Sequence, residues 1–153
     1  MGEFFKSAEE LFRVFRAFWN RVAGDPVLIP RLKNKDMVLR LTCSDPDASF
    51  TVHLGDPGLP DDRCLSFEAS DDKPVDGHKP PHAVMTFTAD FQHRFWCGVE
   101  HPGTAVVNGK IKASGNYIRA LALIPIIRPV FRTYRDILAE LGMRDLALVK
   151  SDS

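Results

Sequence analysis

The first apolar pattern of the chain has the spacing of an amphipathic helix. Ser7 followed by Glu10 is typical of a capping box at a helix start, and Gly24-Asp25-Pro26 is a stop signal. The pattern predicts a helix from Ala8 to about Ala23. Its apolar face is formed by Leu11, Phe12, Phe15, Phe18, Trp19 and Val22.

Beyond residue 36 the apolar period falls to two, which predicts β-strands. Three such segments lie near residues 37–43, 50–54 and 65–67, and Gly-, Pro- and Asp-rich turns connect them. Because short connections favour antiparallel neighbours, we expect these strands to form a meander.

A polar, Pro-rich surface loop at residues 70–82 leads into the second half of the chain. Val84–Thr88 is predicted as the fourth strand, and Asp90 is expected to cap a short helix that runs to about Cys97. Val106–Ser114 is predicted as the fifth strand.

The pattern from Asn116 onward is helical and apolar. Pro125 interrupts it, a second helix is expected to resume near Ile126–Pro129, and Gly142 supplies a C-terminal stop.

Composition narrows the class of protein. A chain of 153 residues with 44% apolar residues can bury one sizeable core, so we expect a single domain over 1–153 with its core at about 8–142. Lys plus Arg and Asp plus Glu both number 20, and this balance gives no electrostatic footprint for nucleic acid. The 11 Phe against 2 Tyr and 2 Trp favour a deep apolar interior.

Cysteine usage and the N-terminal pattern bear on location. Three widely spaced cysteines are not a disulfide framework and are typical of a reducing compartment. Glu3, Glu9 and Glu10 interrupt any signal-peptide core, and no apolar run is long enough to span a bilayer. We therefore expect a cytoplasmic protein.

Two segments together resemble a known family. Val84–Thr88 followed by Asp90-Phe91 is similar to a family strand that leads into an Asp-headed helix. Gly109-Lys110-Ile111-Lys112-Ala113-Ser114-Gly115-Asn116 resembles the Gly-Lys-Leu-Lys-Val-x-Gly-Asn signature of the sterol carrier protein type 2 domain, also called the non-specific lipid-transfer domain. Residues 118–123 resemble the helix that follows in that family.

The resemblance implies an α+β fold with a five-stranded mixed sheet and helices packed on one face. It also implies an apolar tunnel for a fatty acid, a fatty acyl-CoA or a sterol-like lipid, and a protein that binds without catalysing and without a cofactor. The chain departs from the family at Gly98–Thr104 and at Pro125 and Pro129, where the mouth of the tunnel is expected.

The predicted ligand-binding wall combines aromatic and aliphatic residues from four parts of the chain. The same spacing is also typical of ordinary core packing. Tyr134, Lys110 and Arg119 are candidates for a polar anchor. The predicted wall consists of Trp19, Phe87, Phe91, Phe95, Trp96, Ile111, Ile118, Leu121, Ile124, Phe131 and Tyr134.

Two chemical alternatives remain open. His93, Cys97 and His101 are spaced four and four, so a metal-dependent enzyme using His93 and Cys97 is one alternative, although Gly98 and Pro102 break the helix before His101. The pair His78 and His82 is separated by prolines that forbid a helix. A cysteine nucleophile, Cys97 or Cys64, lacks a surrounding signature, and Cys64 is expected on the outer face of the third strand.

The expected partners follow from the lipid hypothesis. The ligand is the first, and a membrane surface or a partner enzyme is the second. The exposed stripe of Arg119, Arg128, Arg132 and Arg135 is either a solvated helix face or a membrane contact. An accessory module with a filled cavity is the alternative function, and the oligomeric state is open between monomer and homodimer.

Overall fold

One mixed sheet of five strands organises the molecule. The computed structural model describes residues 2–70 and 81–148. The strand order is β3-β2-β1-β4-β5. The strands are β1 (Met37–Ser44), β2 (Ala48–Leu54), β3 (Leu65–Ser70), β4 (Ala83–Thr88) and β5 (Lys112–Gly115).

The pairing confirms the predicted meander and the α+β class. β1 runs antiparallel to β2, and β2 runs antiparallel to β3. β4 lies on the other side of β1 and parallel to it, with Leu41 opposite Met85, and β5 is antiparallel to β4. The sheet is therefore mixed, as the family resemblance implied.

The helices differ strongly in length. No helix in the described parts of the chain is both long and apolar enough to cross a membrane. The long helices are α1 (Ala8–Ala23) and α7 (Pro129–Glu140); the shorter ones are α2 (Leu28–Leu32), α3 (Ala89–Trp96), α4 (Pro102–Val107), α5 (Tyr117–Leu121) and α6 (Ile124–Ile127), and a 3₁₀ turn follows at Arg144–Ala147.

Helix α1 begins and ends where the sequence predicts. The Ser7 hydroxyl accepts a hydrogen bond from the backbone N–H of Glu10 at 3.1 Å. The apolar face of α1 is fully buried, and Phe15 stacks on Tyr134 of α7 with ring centroids 5.4 Å apart. Packing of the two long helices against one another thus forms one side of the core.

The predicted fifth strand at Val106–Ser114 is wrong in its first half. Residues 102–107 form helix α4, and the strand begins only at Lys112. His101 caps this helix by accepting from the backbone N–H of Thr104 at 3.1 Å, and Pro102 occupies its first turn, where proline is tolerated. These helix-start signals outweigh the strand preference of Val106 and Val107. The side chain of Val107 is 87% exposed.

Asp90 does not cap helix α3 as predicted. Thr88 is the cap, because its hydroxyl accepts from the backbone N–H of Phe91 at 3.0 Å. The Asp90 carboxylate instead accepts from the backbone N–H groups of Glu3, at 2.9 and 3.0 Å, and of Phe4, at 3.2 Å. An acidic side chain in the first helical turn therefore fastens the N-terminal segment to α3.

The predicted surface loop at residues 70–82 lies mostly outside the described residues. His78 is among the residues that are not described, so its pairing with His82 stays untested. His82 itself contacts the sheet, since its Nδ1 accepts from the backbone N–H of Val38 at 2.9 Å.

Gly115 makes the turn from β5 into α5 possible. Its φ is +70°, and a Cβ atom placed there would lie 2.3 Å from the carbonyl oxygen of His82. Gly109 also has a positive φ, of +78°, but no atom lies within 4 Å of the position a Cβ would take. Both glycines therefore have a left-handed backbone conformation, but only Gly115 lies against a neighbouring backbone atom.

We expect Gly115→Ala to lower the free energy of unfolding by about 2–4 kcal/mol, because left-handed strain adds to a clash with rigid backbone. The matched Gly109→Ala change should cost only about 1 kcal/mol, the strain alone. Urea unfolding of both variants measures the difference. Equal losses at the two positions would contradict the close approach of Gly115 to His82.

Candidate functional site

An apolar cavity lies between the sheet and the helices. Its volume is about 70 Å³, and its wall is almost wholly apolar. Strands β1 to β4 and the segments from α1 to α7 contribute. The wall consists of Trp19, Val22, Leu32, Leu39, Leu41, Val52, Leu54, Leu65, Met85, Phe87, Phe91, Phe95, Trp96, Pro102, Ile111, Ala120, Leu121, Leu123, Ile124, Ile127 and Val130.

Most of the residues predicted for the ligand wall meet at this cavity. Their part in ligand binding remains a prediction, because the geometry shows only that they line one space. The eight that line it are Trp19, Phe87, Phe91, Phe95, Trp96, Ile111, Leu121 and Ile124.

The other three predicted residues lie elsewhere. Ile118 is 65% exposed, so the expectation that it faces the interior is wrong. Helix α5 is only five residues long, and Ala120, two positions further on, takes the buried side. Phe131 lies in the wall of a neighbouring recess. Tyr134 is fully buried but directs its hydroxyl to His93, away from the cavity wall.

Sequence reasoning included Phe87 of β4 but missed the contribution of β1, β2 and β3 to the wall. The signal was present, because Leu39 and Leu41 share one face of β1 with Arg40 and Thr42 on the other, and Val52 and Leu54 alternate with Thr51 and His53 on β2. A strand face opposite helices must border any space between the two layers. No pattern in the sequence identifies Ala120 as a wall residue, since an alanine side chain is too small to fill the space beside it.

The cavity has a small volume. A cavity of about 150 Å³ is known to hold benzene, so this one offers about half that room. Its wall includes residues of α4, α5 and α6, which have six, five and four residues. Helices this short are only marginally stable in isolation, and their position depends on packing against the rest of the fold.

A larger recess opens on the surface beside the cavity. Its volume is about 600 Å³. Pro102, Leu121 and Ile124 line both spaces, so the two are neighbours across these three side chains. The recess lies between the segment 98–103 and the segment 121–131, where the sequence departs from the family pattern.

None of the three candidates for a polar anchor lines either space. Tyr134 bonds to His93, and the Arg119 guanidinium donates to the carbonyl oxygen of Lys35. Lys110 lies in the turn between α4 and β5, outside both walls. Arg128, by contrast, lines the recess.

His93 is the centre of a buried polar network. Its Nε2 lies 2.6 Å from the carbonyl oxygen of Leu146, which can only accept, so Nε2 carries the proton. Its Nδ1 therefore accepts from the Tyr134 hydroxyl at 2.8 Å. Burial is the main cause that lowers the pKa of His93 to about 4. The neutral ring thus joins α3, α7 and the 3₁₀ turn.

The proposed metal and nucleophile residues do not assemble into a reactive site. Cys97 Sγ lies 3.7 Å from His93 Nε2, but that nitrogen already donates to Leu146 and cannot act as a base. Burial raises the pKa of Cys97 to about 11, which keeps the thiol protonated. His101 is exposed at the start of α4, and within residues 2–70 and 81–148 no three potential metal ligands cluster.

Cys64 lies inside, not on the outer face predicted for it. It precedes β3, and its thiol donates to the carbonyl oxygen of Val22 at 3.2 Å. Burial raises its pKa to about 11. The cysteine is therefore a packed thiol that joins α1 to the sheet.

Solved structures supply the comparison, since neither a protein-family model nor a curated protein matches the chain. Apo sterol carrier protein 2 from Yarrowia lipolytica is 16% identical; the alignment covers 86% of this chain and 94% of that one, with a TM-score of 0.54. The chain has the sterol carrier protein 2 fold. The implied fold is thereby confirmed, whereas identity this low says nothing about the ligand.

Two further structures agree with the sterol carrier fold. A conserved protein from Thermus thermophilus, described as a possible sterol carrier protein, is 14% identical, with 100% and 94% of the two chains covered and a TM-score of 0.52. Another sterol carrier protein 2 is 14% identical, with 91% and 96% covered and a TM-score of 0.50. The chain spans only 14% of the length of a sec-alkyl sulfatase double mutant, at a TM-score of 0.48.

The His93 network predicts how stability depends on pH. The folded pKa is about 4 against 6.5 in the unfolded chain, so the unfolded state binds the extra proton between these values. We expect the free energy of unfolding to fall by about 1.4 kcal/mol per pH unit as the pH drops from 6.5 to 4, and this contribution to level off below 4.

Urea unfolding at several pH values measures the slope, with His93→Gln as the variant and the exposed His101→Gln as its matched control. Only His93→Gln should flatten the slope. Nuclear magnetic resonance titration of the His93 ring gives its pKa directly. An unshifted ring pKa near 6.5 would contradict the buried neutral state.

Proposed function

We propose that this protein binds the apolar part of a lipid in the cavity between its sheet and its helices. The observation that carries the proposal is an almost wholly apolar cavity in a sterol carrier fold, with residues of three short helices in its wall. The mechanism is desolvation, in which Phe, Trp, Leu and Ile side chains remove the ligand from water. An acyl chain, an acyl-CoA or a sterol-like ring system is the class of ligand.

The energy of such binding comes from burial alone. Each buried methylene contributes about 0.8 kcal/mol, so ten methylenes contribute about 8 kcal/mol before the costs of association. That gain is in the range needed for micromolar affinity. No charged contact inside the cavity is required.

A long ligand requires the cavity to widen. The wall segment from Leu121 to Ile127 is the candidate for this movement. Helix α6 has no side-chain cap and carries Pro125 in its first turn, and its own residues are not fully buried. Outward displacement of α5 and α6 enlarges the space while the sheet side of the wall stays fixed.

The first test is direct detection of a ligand. Native mass spectrometry after gentle purification should show a co-purified lipid, and a fluorescent fatty acid should bind and be displaced by unlabelled acyl chains. The proposal would be contradicted if the purified protein carried no lipid and showed no binding of acyl chains, sterols or acyl-CoA.

The small cavity volume favours a second candidate, an accessory module of the same fold that presents substrates or partners to a separate enzyme. A volume of about 70 Å³ is closer to a packed interior than to a lipid tunnel. The displacement assay distinguishes the two functions, because an accessory module has no measurable affinity for lipid.

Ala120→Leu fills part of the cavity and should weaken binding of the fluorescent fatty acid at least about tenfold, because the added carbons take the place of ligand methylenes. Ala122→Leu is the matched control, since Ala122 is exposed two positions further on and does not line the wall. Equal affinities of the two variants would contradict ligand binding at this site. Thermal unfolding of both checks that the fold is intact.

A further inference from the structure

The apolar cavity leaves the polar end of an amphiphilic ligand without a place inside. Polar atoms contribute almost nothing to the wall, and burial of an unpaired polar group in such a space is strongly unfavourable. The polar end of any bound amphiphile must therefore remain outside. This inference rests on the proposed function and extends it to the ligand's head group.

The recess between residues 98–103 and 121–131 lies directly outside the cavity. Pro102, Leu121 and Ile124 separate the two spaces, and they belong to the short-helix side of the wall. A chain that passes between these side chains has its end in the recess. With about 600 Å³, the recess has room for a head group larger than a carboxylate.

Among the charged side chains that line the recess, one cationic side chain is available to bind a ligand. The Glu100 carboxylate is only 5% exposed and accepts from Arg94 Nε at 3.1 Å, so this pair is neutral as a whole. His101 uses Nδ1 to accept from the N–H of Thr104, which leaves a proton on Nε2. The Arg128 side chain is exposed and has no ion pair or hydrogen bond to any residue in 2–70 or 81–148.

We infer that Arg128 binds the anionic head group of the ligand in this recess, with His101 as a second donor at its rim. A guanidinium offers two parallel N–H groups to a carboxylate or a phosphate, and such charge-assisted hydrogen bonds are stronger than neutral ones. Arg128 lies at the junction of α6 and α7, so its backbone is held in helical conformation at the edge of the cavity. The head group and the widening wall therefore meet at one place.

The experiment compares a saturated fatty acid with the alcohol of the same chain length, each by displacement of one fluorescent probe. Wild type should bind the acid about five- to tenfold more tightly than the alcohol. Arg128→Gln should remove this preference by weakening the acid and leaving the alcohol unchanged. Arg132→Gln, one helical turn further along α7 and outside the recess, is the matched control and should keep the preference.

Each other result overturns the inference in a distinguishable way. If acid and alcohol bind equally well to wild type, or if Arg128→Gln weakens both equally, Arg128 does not bind the head group while the cavity still binds lipid. If inorganic phosphate alone displaces the acid, the recess is a site for free anions. If neither compound binds, the proposed function fails together with the head-group site.

Discussion

The parallel pairing of β1 with β4 is the constraint on which the rest of the structure depends. Parallel strands cannot be joined by a tight turn, so the chain leaves the meander at β3 and re-enters the sheet on the opposite side of β1. The register sets Leu41 beside Met85 and Cys43 beside Phe87. Phe87, one residue before the α3 cap, thereby lies beside Cys43 at the end of β1, and it contributes to the cavity wall.

The cavity follows from an uneven distribution of helix over the sheet. The two long helices, α1 with 16 residues and α7 with 12, pack against one another through Phe15, Phe18 and Tyr134. The six-, five- and four-residue helices on the other side have fewer side chains with which to fill the same area. The cavity wall thus includes short helices that depend on packing for their position.

The sequence predicted those elements whose periodicity is long and whose end signals agree. Helix α1 and the meander are of this kind. The prediction at Val106–Ser114 was wrong because the even spacing of Val107, Ile111 and Ala113 imitates one face of a strand, whereas the His101 cap and Pro102 decide the local structure. Asp90 was misassigned because a carboxylate near a helix start fits two roles, and only the fold brings the backbone of Glu3 and Phe4 to it.

The sequence predicted most of the residues that line the candidate site, but it did not predict the volume of the cavity. Eight wall residues follow from apolar spacing and from the family resemblance. Ile118 does not, because a helix of five residues is too short for its period to fix a face. The volume of the cavity depends on which side chains leave gaps between them and on small residues such as Ala120. The pattern of apolar residues along the chain therefore does not predict that volume.

The aromatic part of the wall gives the molecule an optical property. Trp19 and Trp96 are both of the tryptophans in the chain, they lie in the cavity wall, and their rings meet edge to face with centroids 5.3 Å apart. Indole emission depends on the polarity and the motion of its surroundings. The tryptophan fluorescence of the protein therefore originates at the cavity, and it responds to the polarity of that space without any attached dye.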